Sequence, residues 1–122
     1  AKKNLMQKFM YSRNQDILKK HKLYATSTTG QMIEDVANLK IHKLLAGHFG
    51  GMQQMGSKIS NNEIDLLIFL QDPANKKRTP DFYNVLNLCD QYNIPCATNL
   101  PTAEVLILAL DRGDLDWRNM YK

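Results

Sequence analysis

Apolar residues recur along this chain at helical and strand spacings in alternation. Leu5, Met6, Phe9, Met10, Ile17 and Leu18 form a helical stripe across residues 2–20, blurred around 12–14. Residues 22–26 read as a short strand running into Ser27-Thr28-Thr29-Gly30. Met32, Ile33, Val36 and Leu39 then restore helical spacing over 31–39. A second short strand is predicted at 41–45, followed by the glycine-rich turn 46–51 and a brief helix carrying Met52, Met55 and Ile59. The clearest strand is 64–70, because a continuous apolar run bounded by polar residues predicts burial on both faces. After the charged loop 71–79, Pro80 opens a helix whose buried side is Phe82, Val85, Leu86, Leu88 and Cys89. Residues 94–97 form a strand, 98–100 a turn and 101–110 the last long helix. The tail, 111–122, carries Trp117 and Tyr121 and suits a segment lying across a neighbour.

Strands and helices alternate at spacings that fit βα units, with no linker and no internal repeat. The economical architecture is a single α/β domain over 1–122, a parallel sheet with helices on both faces.

Composition narrows the partners. With 43% hydrophobic and 23% charged residues the chain is too apolar for a disordered segment. No apolar run approaches the ~20 residues needed to cross a bilayer, so no membrane partner is expected. Two cysteines, Cys89 and Cys96, make no disulfide framework, and reduced thiols in a cytoplasm are the simpler reading. The net charge of +4 suits anionic partners. Nucleic acid is not favoured, because the aromatics do not interleave with the basic run as stacking platforms would. Zinc spacing, a Walker loop and a nucleophile elbow are all missing, so neither metal nor cofactor is expected.

In open α/β sheets ligands collect where strands run into helix N-termini. The turn Thr26-Ser27-Thr28-Thr29-Gly30 offers four hydroxyls where an ordinary N-cap needs one, which points to phosphate binding. The turn from Ala46 to Gly51, with Gly47, His48 and the pair Gly50-Gly51, lets backbone amides approach an anion. His48 is a candidate site histidine, whereas His21 and His42 read as surface residues flanking strands. Asp72-Pro73 ends the strongest strand and Pro80-Asp81 closes the same loop, where a carboxylate pair could act as acid and base, or simply form a turn and an acidic helix start. Thr98-Asn99 makes another polar helix start, Lys76-Lys77-Arg78 reads as a solvated basic run, and Met52 and Met55 read as core filler.

Taken in order, these loops resemble the methylglyoxal synthase family. Tyr24-Ala25-Thr26-Ser27-Thr28-Thr29-Gly30 is similar to its Tyr-Ala-Thr-Gly-Thr-Thr-Gly loop. Gly47, then Gly50-Gly51-Met52-Gln53-Gln54-Met55-Gly56, is similar to its glycine-rich Gly-Gly-Asp-Gln-Gln loop. Asp72-Pro73, Pro80-Asp81 and Ile94-Pro95-Cys96-Ala97-Thr98-Asn99, followed by Thr102-Ala103, complete the set. The resemblance runs from about residue 2 to the C-terminus.

The resemblance implies a lyase that converts dihydroxyacetone phosphate to methylglyoxal and inorganic phosphate. In the family an aspartate removes a proton beside the carbonyl, a neutral histidine polarises the carbonyl oxygen, and the enediolate expels phosphate. Thr26, Ser27, Thr28, Thr29 and Gly47 match its phosphate-binding positions, with Lys3 as a further phosphate contact, and Asp72 and Asp81 match aspartates at the reacting end. It also implies a homo-oligomer, a hexamer by family, with Met55, Trp117 and Tyr121 as candidate interface residues.

The departures bear on catalysis. The family's proton-abstracting aspartate is Met52 here, and a thioether takes no proton. Lys77-Arg78-Thr79-Pro80-Asp81 stands where the family has Pro-His-x-Pro-Asp, and the family's first strand, ending in Ala-His-Asp, would precede Lys2. Ser27 replaces a glycine and Ala46 a serine in the phosphate pocket. The expectation is a chain of weak or absent turnover. Its other reading is a non-catalytic domain that binds phosphorylated metabolites, as related domains attached to carbamoyl phosphate synthetase bind effectors.

Overall fold

The computed structural model describes residues 7–45, 50–70 and 80–121, and the side chains of Asn119 and Tyr121 lie outside the description. The chain divides into two compact units, Ala1–Met55 and Gly56–Lys122.

The first unit begins with α1 (Ser12–Leu18), then β1 (Tyr24–Thr26), α2 (Ser27–Val36) and β2 (His42–Leu44). The blur in the first stripe has a physical cause. The helical pattern breaks at Met10 and Tyr11, and Asn14 turns inward, its amide donating to the Phe9 carbonyl at 2.7 Å. Gln15 does the same for Met10 at 2.6 Å, so two side chains satisfy carbonyls that the break leaves without helical partners. β1 and β2 pair in parallel with Tyr24 opposite His42, the pattern of a βαβ unit. Gly30 allows α2 to lie close on β2, since a Cβ there would meet Lys43 Cγ at 2.9 Å and Ile41 Cγ2 at 3.2 Å. Phe9, Ile17, Ala25, Ile33 and Ile41 are buried in this unit.

The division between units falls inside α3 (Gly51–Ser60), and the second unit continues with β3 (Leu67–Ile68), α4 (Pro80–Gln91), β4 (Cys96–Ala97) and α5 (Leu100–Asp111). It ends in a 3₁₀ segment, Asp116–Tyr121. β3 and β4 pair in parallel, Leu67 opposite Cys96, forming a second βαβ unit. Ile59, Leu70, Phe82, Val85 and Ile107 are almost fully buried here. Phe82 packs edge-on against Phe69 with ring centroids 5.1 Å apart.

The parallel α/β character follows the sequence pattern, with the described strands forming two separate two-stranded ladders. The 64–70 run differs from its reading. Only Leu67 and Ile68 are strand, and burial falls on Ile64, Leu67 and Leu70 while Leu66, Ile68 and Phe69 are half-buried. Among the described residues β3 has one ladder partner, so half of its backbone edge gains nothing from the apolar composition. Leu86 and Leu88 are likewise half-buried on α4, leaving Phe82, Val85 and Cys89 as its inner face. Met55 is buried within the chain at 8% exposure, which removes it as a surface for a neighbouring subunit. Trp117 is exposed, while Arg118 beside it is buried at 4% exposure and ties the tail to its own unit.

Candidate functional site

The hydroxyl-rich segment is not a loop. β1 ends at Thr26 and α2 starts at Ser27, so Ser27, Thr28, Thr29 and Gly30 are the helix's first turn rather than a lead-in. Thr26 is the N-cap in extended conformation, and its side chain makes no capping bond. An N-cap threonine ordinarily spends its hydroxyl on a first-turn N–H. Here the capping bond is not made, at the helix end where partial positive charge gathers. No acidic residue occupies that first turn. Ser27 and Thr29 are half-buried and Thr28 is exposed.

Leu45, just beyond β2, links this turn to α3. Its carbonyl accepts from the Ser27 N–H at 3.5 Å, and its own N–H donates to Gln54 Oε1 at 2.7 Å. The end of β2 is thereby fixed between the start of α2 and the second turn of α3. Gln54 is the second glutamine of the Gln53-Gln54 pair, and this contact gives it a structural task. Gly50 adopts φ +101°, a conformation a side chain would strain, and its carbonyl accepts from the Gln54 N–H at 3.0 Å to open α3. Met52 follows in the first turn of α3, half-buried.

The predicted site residues therefore divide into three groups. Thr26, Ser27, Thr28 and Thr29 share one strand-to-helix turn. Asp81 belongs to the second unit, half-buried in the first turn of α4, where a carboxylate complements the helix dipole. Lys3, Gly47 and Asp72 lie outside the described residues, as do His48 and the run Lys76-Lys77-Arg78. The polar start of α5 has a structural occupation, because the Asn99 side chain caps the helix by accepting from the Thr102 N–H at 3.0 Å. No group of three or more metal-ligating side chains occurs among the described residues. No helix among them is long and apolar enough to cross a membrane.

Two features escaped the pattern reading. Arg118 is one, an isolated basic residue whose burial no periodicity signals. The other is a thiol pair. Cys89 at the buried side of α4 and Cys96 in β4 are hydrogen-bonded to each other. That bond, with burial and the neighbouring sulfur's charge, pushes the Cys89 thiol far up, and the same bond pulls Cys96 down.

The MGS-like domain family matches residues 11–98. The chain is 52% identical over 120 residues to methylglyoxal synthase of Caldicellulosiruptor saccharolyticus, covering 98% of this chain and 84% of that protein. It is 48% identical over 122 residues to methylglyoxal synthase of Thermoanaerobacterium thermosaccharolyticum, covering 99% and 90%. The crystal structure of methylglyoxal synthase from Elizabethkingia anophelis NUHP1 aligns with a TM-score of 0.68 at 33% identity. That match covers 86% of this chain, which spans 66% of the solved one.

Proposed function

This chain belongs to the methylglyoxal synthase family, and we propose that residues 1–122 act as one MGS-like domain gripping dihydroxyacetone phosphate by its phosphoryl group. In this reading Thr26, Ser27, Thr28 and Thr29 bind the phosphoryl oxygens together with Gly47 and Lys3, and Asp72 and Asp81 stand at the reacting end. One observation carries it. Three consecutive hydroxyl residues build the first turn of a helix whose N-cap side chain makes no capping bond. First-turn N–H groups and hydroxyls aimed at one point are what a phosphate dianion needs.

The family chemistry then requires a base. A carboxylate takes the proton beside the carbonyl, the carbon–hydrogen electron pair becomes the enediolate, and its collapse breaks the carbon–oxygen bond to phosphate. Inorganic phosphate leaves, and the remaining enol rearranges to methylglyoxal. Met52 occupies the base position and can neither accept nor return a proton. Loss of a positioned base removes roughly 10²–10⁴-fold of rate, so turnover here is weak or absent. Met52 also supports a second reading, a non-catalytic domain that binds phosphorylated metabolites. Assembly into a homo-oligomer, a hexamer as in the family, and a cytoplasmic setting complete the proposal.

The deciding experiment is thermal unfolding with dihydroxyacetone phosphate or inorganic phosphate, paired with a methylglyoxal assay. A ligand at 100 times its Kd adds about 2.7 kcal/mol to stability, a plain rise in Tm. Protection without turnover selects the binding domain, and protection with slow turnover a weakened lyase. No protection by either ligand removes the phosphate site and both readings with it.

A further inference from the structure

Gln54 stands between the two helix starts of the first unit and is tied to both. Its N–H makes the opening helical bond of α3, to the Gly50 carbonyl at 3.0 Å. Its side-chain Oε1 leaves that helix and accepts from the Leu45 N–H at 2.7 Å, nine residues back in the chain. Leu45 in turn offers its carbonyl to the Ser27 N–H at 3.5 Å, at the start of α2. Two hydrogen bonds and one residue of backbone therefore run from α3 to the hydroxyl turn. The Leu45 side chain adds a contact, its Cδ1 lying 3.8 Å from where a Cβ on Gly50 would be.

Ordinary occupations of a glutamine do not account for this bond. A capping box uses the third helical residue, here Gln53, and reaches back to its own N-cap. Gln54 is the fourth, and its side chain serves another element. Nor does the bond hold a core together. Gln54 and Leu45 are both exposed, where water serves a backbone N–H nearly as well as an amide oxygen does. What water does not supply is a fixed distance.

The two bonds on Leu45 differ in what they can fix. At 2.7 Å the bond to Gln54 is at the short end for N–H···O, whereas the bond from Ser27 at 3.5 Å is beyond the usual range. The glutamine is therefore the firmer anchor of the pair.

The phosphate grip needs such an anchor. In that reading the phosphoryl group sits on the first turn of α2, while the family's base position, Met52, lies in the first turn of α3. A misplacement of about 1 Å between a bound group and the residue that acts on it can cost on the order of 10²-fold in rate. We propose that Gln54 is a positioning residue, fixing through the Leu45 backbone where the hydroxyl turn of α2 stands relative to the start of α3. This role rests on the phosphate reading and falls with it, but it can also fail alone.

Calorimetric titration of the full chain with dihydroxyacetone phosphate tests it, on the parent, Gln54→Met and Gln54→Glu. Salt at about 0.5 M screens the added charge of the glutamate. Amide hydrogen exchange, read by NMR, follows the Leu45 N–H in each protein. Gln54→Met keeps the side-chain length and removes the acceptor. Its Leu45 amide should exchange faster, and its affinity should fall about three- to tenfold, the worth of one hydrogen bond that the ligand must now replace in ordering the turn. Its thermal midpoint without ligand should stay near the parent's. Gln54→Glu keeps an acceptor in place and should hold both exchange and affinity near the parent values. A Gln54→Met chain whose Leu45 amide exchanges faster yet binds as tightly as the parent overturns the positioning role alone. So do unchanged Leu45 exchange, equal loss of affinity in the two variants, or a lowered midpoint with affinity intact. A parent chain that does not bind dihydroxyacetone phosphate removes the phosphate reading and this role together.

Discussion

Arg118 Nη2 donates to the side-chain oxygen of Asn62 at 2.9 Å, joining the C-terminal 3₁₀ segment to the residue that closes α3. Asn62 and Asn93 both sit in the left-handed region, φ 58° and 56°, each just beyond a helix. The Glu63 N–H returns to the Lys58 carbonyl and the Ile94 N–H to the Cys89 carbonyl, at 2.9 and 2.8 Å, the closure of a Schellman turn. Arg118 serves both turns at once. It also donates to the carbonyls of Asn93, Tyr92 and Ile64, and at 3.4 Å to Asp65. Its fork of N–H donors is well used.

Replacing Arg118 removes several charge-assisted bonds and leaves buried carbonyls without a donor. Arg118→Ala should therefore destabilise the fold by about 2–4 kcal/mol. Arg118→Lys should recover less than half, because an ammonium cannot span acceptors on two turns. Urea midpoints of the three proteins check both statements. Equal midpoints for parent and alanine variant would show the tail to be detached in solution.

Gly30 tests the packing of α2 on β2. A methyl there meets Lys43 Cγ and Ile41 Cγ2, and Ile41 is buried while Lys43 is held at 2.5 Å by Glu34. Helix propensity alone favours alanine by about 1 kcal/mol. The clash should outweigh that gain, and Gly30→Ala should lose about 1–3 kcal/mol. A higher thermal midpoint for the variant would mean the helix shifts freely.

The Cys89–Cys96 bond gives the thiols opposite behaviour. Cys96 is held down by the Cys89 donor and is half-buried, so alkylation by iodoacetamide should proceed there first and slow as pH falls through its lowered value. Cys89 should react only on unfolding. The sign for stability follows from proton counts. Above the ordinary thiol range, about 8.5, the unfolded chain has lost the Cys89 proton that the folded chain keeps, so stability falls as pH rises. Cys96 contributes stability that is fully present above that range and lost as pH falls below it. Peptide mapping after brief alkylation reads the order directly. Faster labelling at Cys89 would contradict the bond.

Much of the framework was legible because local signals agreed with tertiary ones. Pro80 opened α4 at its expected position, and alternation alone predicted parallel strands joined by helices, though as one sheet rather than the two ladders of the described strands. The hydroxyl turn was legible as a cluster of residues but not as geometry, since hydroxyls at 26–29 suit a loop and a helix start equally. The interaction that decided between them is the parallel ladder ending at Thr26, which is non-local. The 64–70 run misled for the same reason. Its apolar density reports burial, and strand length depends on ladder partners that composition does not encode.

Met52 offers the sharpest test of the functional reading. It lies in the first turn of α3, where a carboxylate is favoured by the helix dipole and where no acidic residue now sits. Met52→Asp should therefore fold with little loss of stability, and its half-buried position leaves the new carboxylate open to solvent on one side. If the hydroxyl turn holds dihydroxyacetone phosphate as proposed, the variant supplies the missing base beside a bound substrate. Methylglyoxal formation should rise by about 10² or more, the usual worth of a positioned base. The rise should appear in kcat with KM nearly unchanged, since phosphate binding is left alone. A folded variant that binds phosphate but gains no rate would place the remaining deficit at the carbonyl, where Lys77-Arg78-Thr79 stands in place of the family's histidine segment.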